Sequence, residues 1–152
     1  MNIDVAPKPL DILLVEDNPG DMRLTVEALR EGKVLCKLHW VEDGVEALDF
    51  LYRRGKHVDA ARPDLILLDL NLPRMDGREV LQHIKTDAQL RRIPVVILTT
   101  SKAEEDILRS YDLYANCYVT KSPVDFDNFI EVIRSIDRFW LALVTLPPKS
   151  DE

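Results

Sequence analysis

The run Asp64-Leu65-Ile66-Leu67-Leu68-Asp69-Leu70-Asn71-Leu72-Pro73-Arg74-Met75-Asp76-Gly77 decides the architecture. Residues 65–68 are apolar without a break and end abruptly at an acid, the mark of a short strand buried on both faces of a parallel sheet. Working outward, residues 12–15 and 95–98 repeat the pattern, each four residues long and each followed at once by polar residues. Residues 36–41 are more mixed, with Lys37 and His39 facing one way, which predicts a less buried edge strand. Cys117 to Val119 is a shorter fifth candidate. Helical patterns lie between them. Asn18 is placed to cap a helix over 19–30 with Pro19 at its first position, and Met22, Val26 and Leu29 share one of its faces. Val45, Leu48 and Tyr52 define a second helix, Val80, Leu81 and Ile84 a third, Ile107, Leu108 and Tyr111 a fourth, and residues 126–143 a long fifth. Strands alternating with helices predict an α/β fold. It is a doubly wound, five-stranded parallel sheet of order 2-1-3-4-5, flavodoxin-like, with helices on both faces. Residues 10–144 are expected to form the domain, with 1–9 a flexible leader and 145–152 a loose tail.

In such a sheet the C-terminal ends of all strands lie on one edge, and ligands bind in the crevice outside it. The residues after the apolar runs are Glu16 and Asp17, then Asp69, then Thr99, then Lys121. Positions a hundred residues apart should therefore meet in one small site. Carboxylates crowded there repel unless something positive sits among them, and Mg²⁺ (or Mn²⁺) is the expected cofactor because a hard cation prefers oxygen ligands. Lys121 adds a compact positive charge and Thr99 a hydroxyl donor. Metal, ammonium and hydroxyl together can spread the charge of a phosphoryl group in transfer, with Asp69 the natural nucleophile.

The segments Leu14-Val15-Glu16-Asp17-Asn18-Pro19, 64–77 as quoted above, Pro94-Val95-Val96-Ile97-Leu98-Thr99 and Tyr118-Val119-Thr120-Lys121 resemble the receiver domains of bacterial two-component response regulators, in the right order over residues 10–142. The resemblance implies that Asp69 is the phosphoacceptor. It makes Asp17 a direct metal ligand, Glu16 an acid reaching the metal through water, and the Asn71 backbone carbonyl a further ligand. Thr99 and Lys121 become the pair gripping the phosphoryl oxygens, and Tyr118 the aromatic rotamer switch. It also implies a histidine kinase as donor and self-phosphorylation and self-dephosphorylation as the whole chemistry, so the chain is not expected to be an enzyme. Lys121-Ser122 and an apolar C-terminal extension are similar to the phytochrome-associated members, which points to a phytochrome-type sensor. Two positions depart from the common pattern: Ser122 stands where most members have proline, with Pro123 one place later, and Thr100 is bulkier than usual. Thr100 and Asn71 are expected to tune dephosphorylation, Thr100 by slowing the attack of water.

Three other readings compete. A receiver-like adaptor that ignores phosphate is opposed by the intact acidic, threonine and lysine set. A small aspartyl-phosphate phosphatase needs a second aspartate two places after its nucleophile, and Asn71 cannot serve as that general acid. A nucleotide- or flavin-binding domain lacks its glycine-rich loop in a chain of five glycines. The net charge of -7 argues against nucleic acid. No apolar run approaches the roughly 20 residues that span a bilayer, and the N-terminus lacks a secretory pattern. Cys36 and Cys117 make neither a disulfide framework nor a metal site, which suits a cytoplasmic protein. His39, His57 and His83 read as surface residues, and Arg53-Arg54-Gly55-Lys56 as a solvated helix end. In the fifth helix Phe126, Phe129, Ile130, Ile133 and Trp140 form a core face. Val132, Ile136, Phe139 and Leu143 form an adjacent apolar stripe that predicts a homodimer. With no second domain following, output is expected through contact with an unknown downstream protein.

Overall fold

A computed structural model describes residues 9–101, 103–105, 107, 117–121, 127, 128, 130 and 131. Its strands are β1 (Leu10–Val15), β2 (Cys36–Val41), β3 (Leu65–Asp69), β4 (Val95–Thr99) and β5 (Cys117–Thr120). All pair in parallel in the order β2-β1-β3-β4-β5, so the expected topology holds. The helices are α1 (Pro19–Glu31), α2 (Gly44–Leu51) and α3 (Gly77–Thr86), with short 3₁₀ turns at Gly55–His57 and Leu90–Arg92. Residues 103–105, 107, 127, 128, 130 and 131 are also helical. The leader at 1–8, the tail at 145–152, Leu108, Tyr111, Ser122 and the stripe Val132, Ile136, Phe139 and Leu143 lie outside the described residues.

Strand alternation divides the core in two. Leu13, Val15, Ile66, Leu68, Val95 and Ile97 point to the face covered by Ala47, Leu48, Phe50 and Leu51 of α2 and Val80, Leu81 and Ile84 of α3. Ile12, Leu14, Leu65, Leu67, Val96 and Leu98 point the other way, toward Leu29 of α1 and Ile130. Burial on both faces is why these strands read as unbroken apolar runs. β2 and β5 are the two edges, and Cys36 and Cys117 begin one each, so no bridge joins them.

Each helix starts on a side-chain cap, Asn18 for α1, Asp43 for α2 and Asp76 for α3. Gly77 has a separate duty, because a Cβ there would lie 2.5 Å from the Asp69 carbonyl oxygen. A glycine lets α3 begin against the end of β3, and that contact fixes the backbone of Asp69.

Three expectations need correction. Tyr52 does not share the buried face of α2. The helix ends at Leu51, and Tyr52 is 36% exposed, with Arg54 5.0 Å above its ring. Ile107 is 57% exposed, because Glu105, two residues earlier, takes the inward position of that helical turn. His39 and His57 are not free surface residues. They flank Phe50 at 5.3 and 5.2 Å between ring centroids and bond Asp11 at 2.9 Å and Glu46 at 3.0 Å. His83 is exposed as expected.

Candidate functional site

The strand ends deliver the site. β1 runs out at Val15 and hands over Glu16 and Asp17 before Asn18 caps α1. The turn is braced by β2, since the Trp40 indole donates to the Glu16 carbonyl at 2.7 Å and the Glu16 amide donates to the Val41 carbonyl. Asp69 is the last residue of β3, paired with Leu98 of β4, and Lys121 follows β5 directly. The ladders run one residue further than the apolar pattern, so Asp69 and Thr99 belong to their strands instead of following them.

Carboxylate oxygens of Glu16, Asp17 and Asp69 lie within 4.8 Å of one another. Glu16 and Asp69 are buried and Asp17 is exposed at the mouth. Lys121 Nζ reaches Asp69 Oδ2 at 2.8 Å, Asp21 Oδ2 at 2.9 Å and Glu16 Oε1 at 2.7 Å. Three acids thus share one ammonium. Burial pushes the Glu16 carboxyl up to about 7, with Lys121 opposing and Asp69 adding to the rise. Burial also works against the Lys121 charge, but its close contacts with Asp69, Glu16 and Asp21 outweigh it and hold its pKa above the ordinary lysine value. Glu16 Oε2 accepts from the Asn18 amide at 3.2 Å, whereas buried Oε1 has its close ion pair with Lys121 but no well-directed hydrogen bond among the described residues. An under-satisfied buried oxygen beside two more carboxylates is a hard-donor set with surplus negative charge, which fits a divalent cation.

Asp69 Oδ1 accepts from the Asn71 amide at 2.8 Å, so both of its oxygens are held. Thr99 is fully buried at the end of β4, and the Lys121 amide donates to its carbonyl at 2.8 Å. Its hydroxyl, however, faces Ser101 O (3.3 Å), Val119 O (3.4 Å) and Thr120 Oγ1 (3.4 Å), and does not bond to Asp69. Tyr118 is half-buried and packs on the core face shared with α2 and α3. Thr100 and Asn71 meet at Glu104, which accepts from the Thr100 amide and hydroxyl at 3.3 Å and from Asn71 Nδ2 at 3.4 Å.

Sequence reasoning missed four residues here. Asp21 sits in the first turn of α1, where an acid reads as a helix-dipole residue until Lys121 is seen beside it. Glu104, Glu105 and Thr120 gave no spacing signal, because each acts through a neighbour that folding alone supplies.

The family model described as response regulator receiver domain matches residues 12–134. The chain is 47% identical over 144 residues to the response regulator Rcp1 of Synechocystis sp., covering 95% of this chain and 97% of that protein. Among solved structures, the phosphorylated cyanobacterial phytochrome response regulator RcpA is 50% identical, with a TM-score of 0.72 over 93% of this chain and 100% of that one. The Mn²⁺-bound form of Rcp1 is 48% identical, with a TM-score of 0.71 over 92% and 100%.

Proposed function

The chain belongs to the response regulator receiver domain family of two-component signalling, and on that premise we propose that Asp69 accepts a phosphoryl group from the phosphohistidine of a histidine kinase. The observation that carries this reading is the grouping of Glu16, Asp17 and Asp69 oxygens with the Lys121 ammonium 2.8 Å from Asp69. A carboxylate oxygen of Asp69 attacks phosphorus in line. The new P–O bond forms as the P–N bond breaks, and the electron pair leaves on the kinase imidazole nitrogen. Lys121, kept charged by its acidic neighbours, stands ready for a phosphoryl oxygen, and the Asn71 amide orients the other oxygen of Asp69. Asp17, Asp69 and the Asn71 carbonyl, with Glu16 behind them, would hold Mg²⁺ or Mn²⁺, which would supply positive charge where negative charge develops. Thr99 then turns onto the phosphoryl group, and Tyr118 moves into the space it leaves. Asn71 and Thr100 govern the access of water and so the lifetime of the product.

The phosphoryl group biases an existing equilibrium and does no external chemistry. The reading extends to a domain over 10–144, a cytoplasmic setting, an unknown downstream protein, and a homodimer through Val132, Ile136, Phe139 and Leu143. The phytochrome named for RcpA supports a phytochrome-type sensor kinase as donor.

Intact mass after incubation with Mg²⁺ and a small-molecule phosphodonor tests the reading. Wild type should gain one base-labile phosphoryl group and Asp69→Asn none. A folded, Mg²⁺-binding wild type left unmodified by both the phosphodonor and phosphorylated kinases would move the protein to the phosphate-independent adaptor class.

A further inference from the structure

Thr99 turns its hydroxyl away from Asp69, and a buried acid unused by the transfer chemistry stands at the end of its contacts. Thr99 Oγ1 lies 3.4 Å from Thr120 Oγ1, which lies 3.4 Å from Glu105 Oε1. All three residues are buried, Glu105 with only 3% of its surface exposed. Thr99 Oγ1 is placed to donate to Thr120 Oγ1, and Thr120 Oγ1 to Glu105 Oε1, so the chain of hydroxyls runs toward Glu105. Thr120 gives its hydrogen to Glu105 and presents its oxygen to Thr99, whose single hydroxyl hydrogen is drawn toward β5. The carbonyls of Ser101 and Val119 are within reach of the same hydroxyl, and all of these acceptors lie on the side away from Asp69.

We propose that Thr120 and Glu105 are positioning residues for Thr99. They hold its hydroxyl turned from Asp69 in the unphosphorylated protein and so oppose capture of the phosphoryl group. The inference rests on Asp69 being the phosphoacceptor. To donate to a phosphoryl oxygen, Thr99 must withdraw its hydrogen from Thr120, and the link from β4 through β5 to helical residues 103–105 is broken at its first bond. The separations are long for hydroxyl hydrogen bonds, so the hold is weak enough to be released by one incoming charged group.

The test uses the whole chain with saturating Mg²⁺, titrated with beryllium fluoride as a phosphoryl analogue and followed by calorimetry. Thr120→Val keeps the shape and removes the hydroxyl, and Thr120→Ser keeps the hydroxyl. Thr120→Val should bind the fluoride tighter by about 2- to 12-fold, the worth of one neutral hydrogen bond, while Thr120→Ser stays at the wild-type value. Affinity for Mg²⁺ alone should be the same in all. Glu105→Gln, which weakens the acceptor at the end of the two hydroxyls, should shift in the same sense and serves if Thr120→Val does not fold. Equal fluoride affinity in wild type and the folded variants overturns the inference, as does a Thr120→Ser shift as large as that of Thr120→Val. A wild type that binds Mg²⁺ but no fluoride overturns the phosphoacceptor reading itself, and this inference with it.

Discussion

At the scale of single residues, the site holds more charge than stability alone would choose. Glu16, Asp21 and Asp69 surround one lysine, and Asp17 stands exposed beside Glu16 and Asp69. Like charges so close raise the free energy of the metal-free fold, a cost that folded proteins tolerate where function needs it. Asp17→Asn removes one charge with little change of shape. The metal-free variant should therefore melt ~2–4 °C higher than wild type, the shift expected when about 1 kcal/mol of repulsion is relieved in a chain of this length. The same variant loses a proposed ligand, so the rise in melting temperature that Mg²⁺ is expected to give wild type should largely vanish. Scanning calorimetry with and without Mg²⁺ checks both halves. A variant that keeps the full metal-induced rise would remove Asp17 from the ligand set.

At the scale of elements, the β2 edge is tied to its surroundings by Glu46. Its carboxylate accepts from the Glu42 amide at 3.3 Å before α2 and meets Lys56 at 2.9 Å and His57 at 3.0 Å in the 3₁₀ turn after it. Burial alone would raise the Glu46 pKa, but the hydrogen bonds from Lys56, His57 and the Glu42 amide prevail and lower it from 4.5. A carboxyl whose folded value is depressed stabilises the fold fully above its unfolded value. That contribution is lost as pH falls through the depressed one. Wild type should then melt about a degree or two above Glu46→Gln at pH 7, and the gap should close as pH drops below 4.5. A gap independent of pH would mean that Glu46 acts by packing and not by charge. The histidine contacts here also show where pattern reading stops. His39 and His57 carry no ligand spacing, and only the docking of β2 and α2 brings Phe50 between them.

At the scale of the whole molecule, the sheet was legible because burial on both faces leaves no room for polar residues within 12–15, 65–68 and 95–98. The site was legible because parallel strands send their C-terminal residues to one edge, so Glu16, Asp17, Asp69 and Lys121 could be placed together without coordinates. What local sequence could not carry was direction. The inward turn of the Thr99 hydroxyl and the reach of Asp21 to Lys121 depend on side-chain rotations fixed by neighbours distant in sequence. Quaternary structure belongs to this scale too. Ile130 is buried beside α1, close enough to Gly32 that a Cβ there would collide with it, so at this residue the fifth helical segment faces the domain core. On a helical wheel drawn from the sequence, Val132, Ile136, Phe139 and Leu143 fall about a quarter-turn round from Phe126, Phe129, Ile130, Ile133 and Trp140, as the second apolar stripe expected to form the proposed homodimer contact. A second copy of the chain covers it in the proposed homodimer. Ile136→Glu places a charge in the centre of that stripe and should lower the association constant at least ~10-fold, as loss of a buried interface anchor does. Sedimentation equilibrium over a range of concentrations reads this directly, with Asp127→Asn, an exposed position on the same segment, as the control that should stay dimeric. A wild type that sediments as a monomer throughout, with and without beryllium fluoride and Mg²⁺, would leave the second stripe to be covered by the chain's own C-terminal residues.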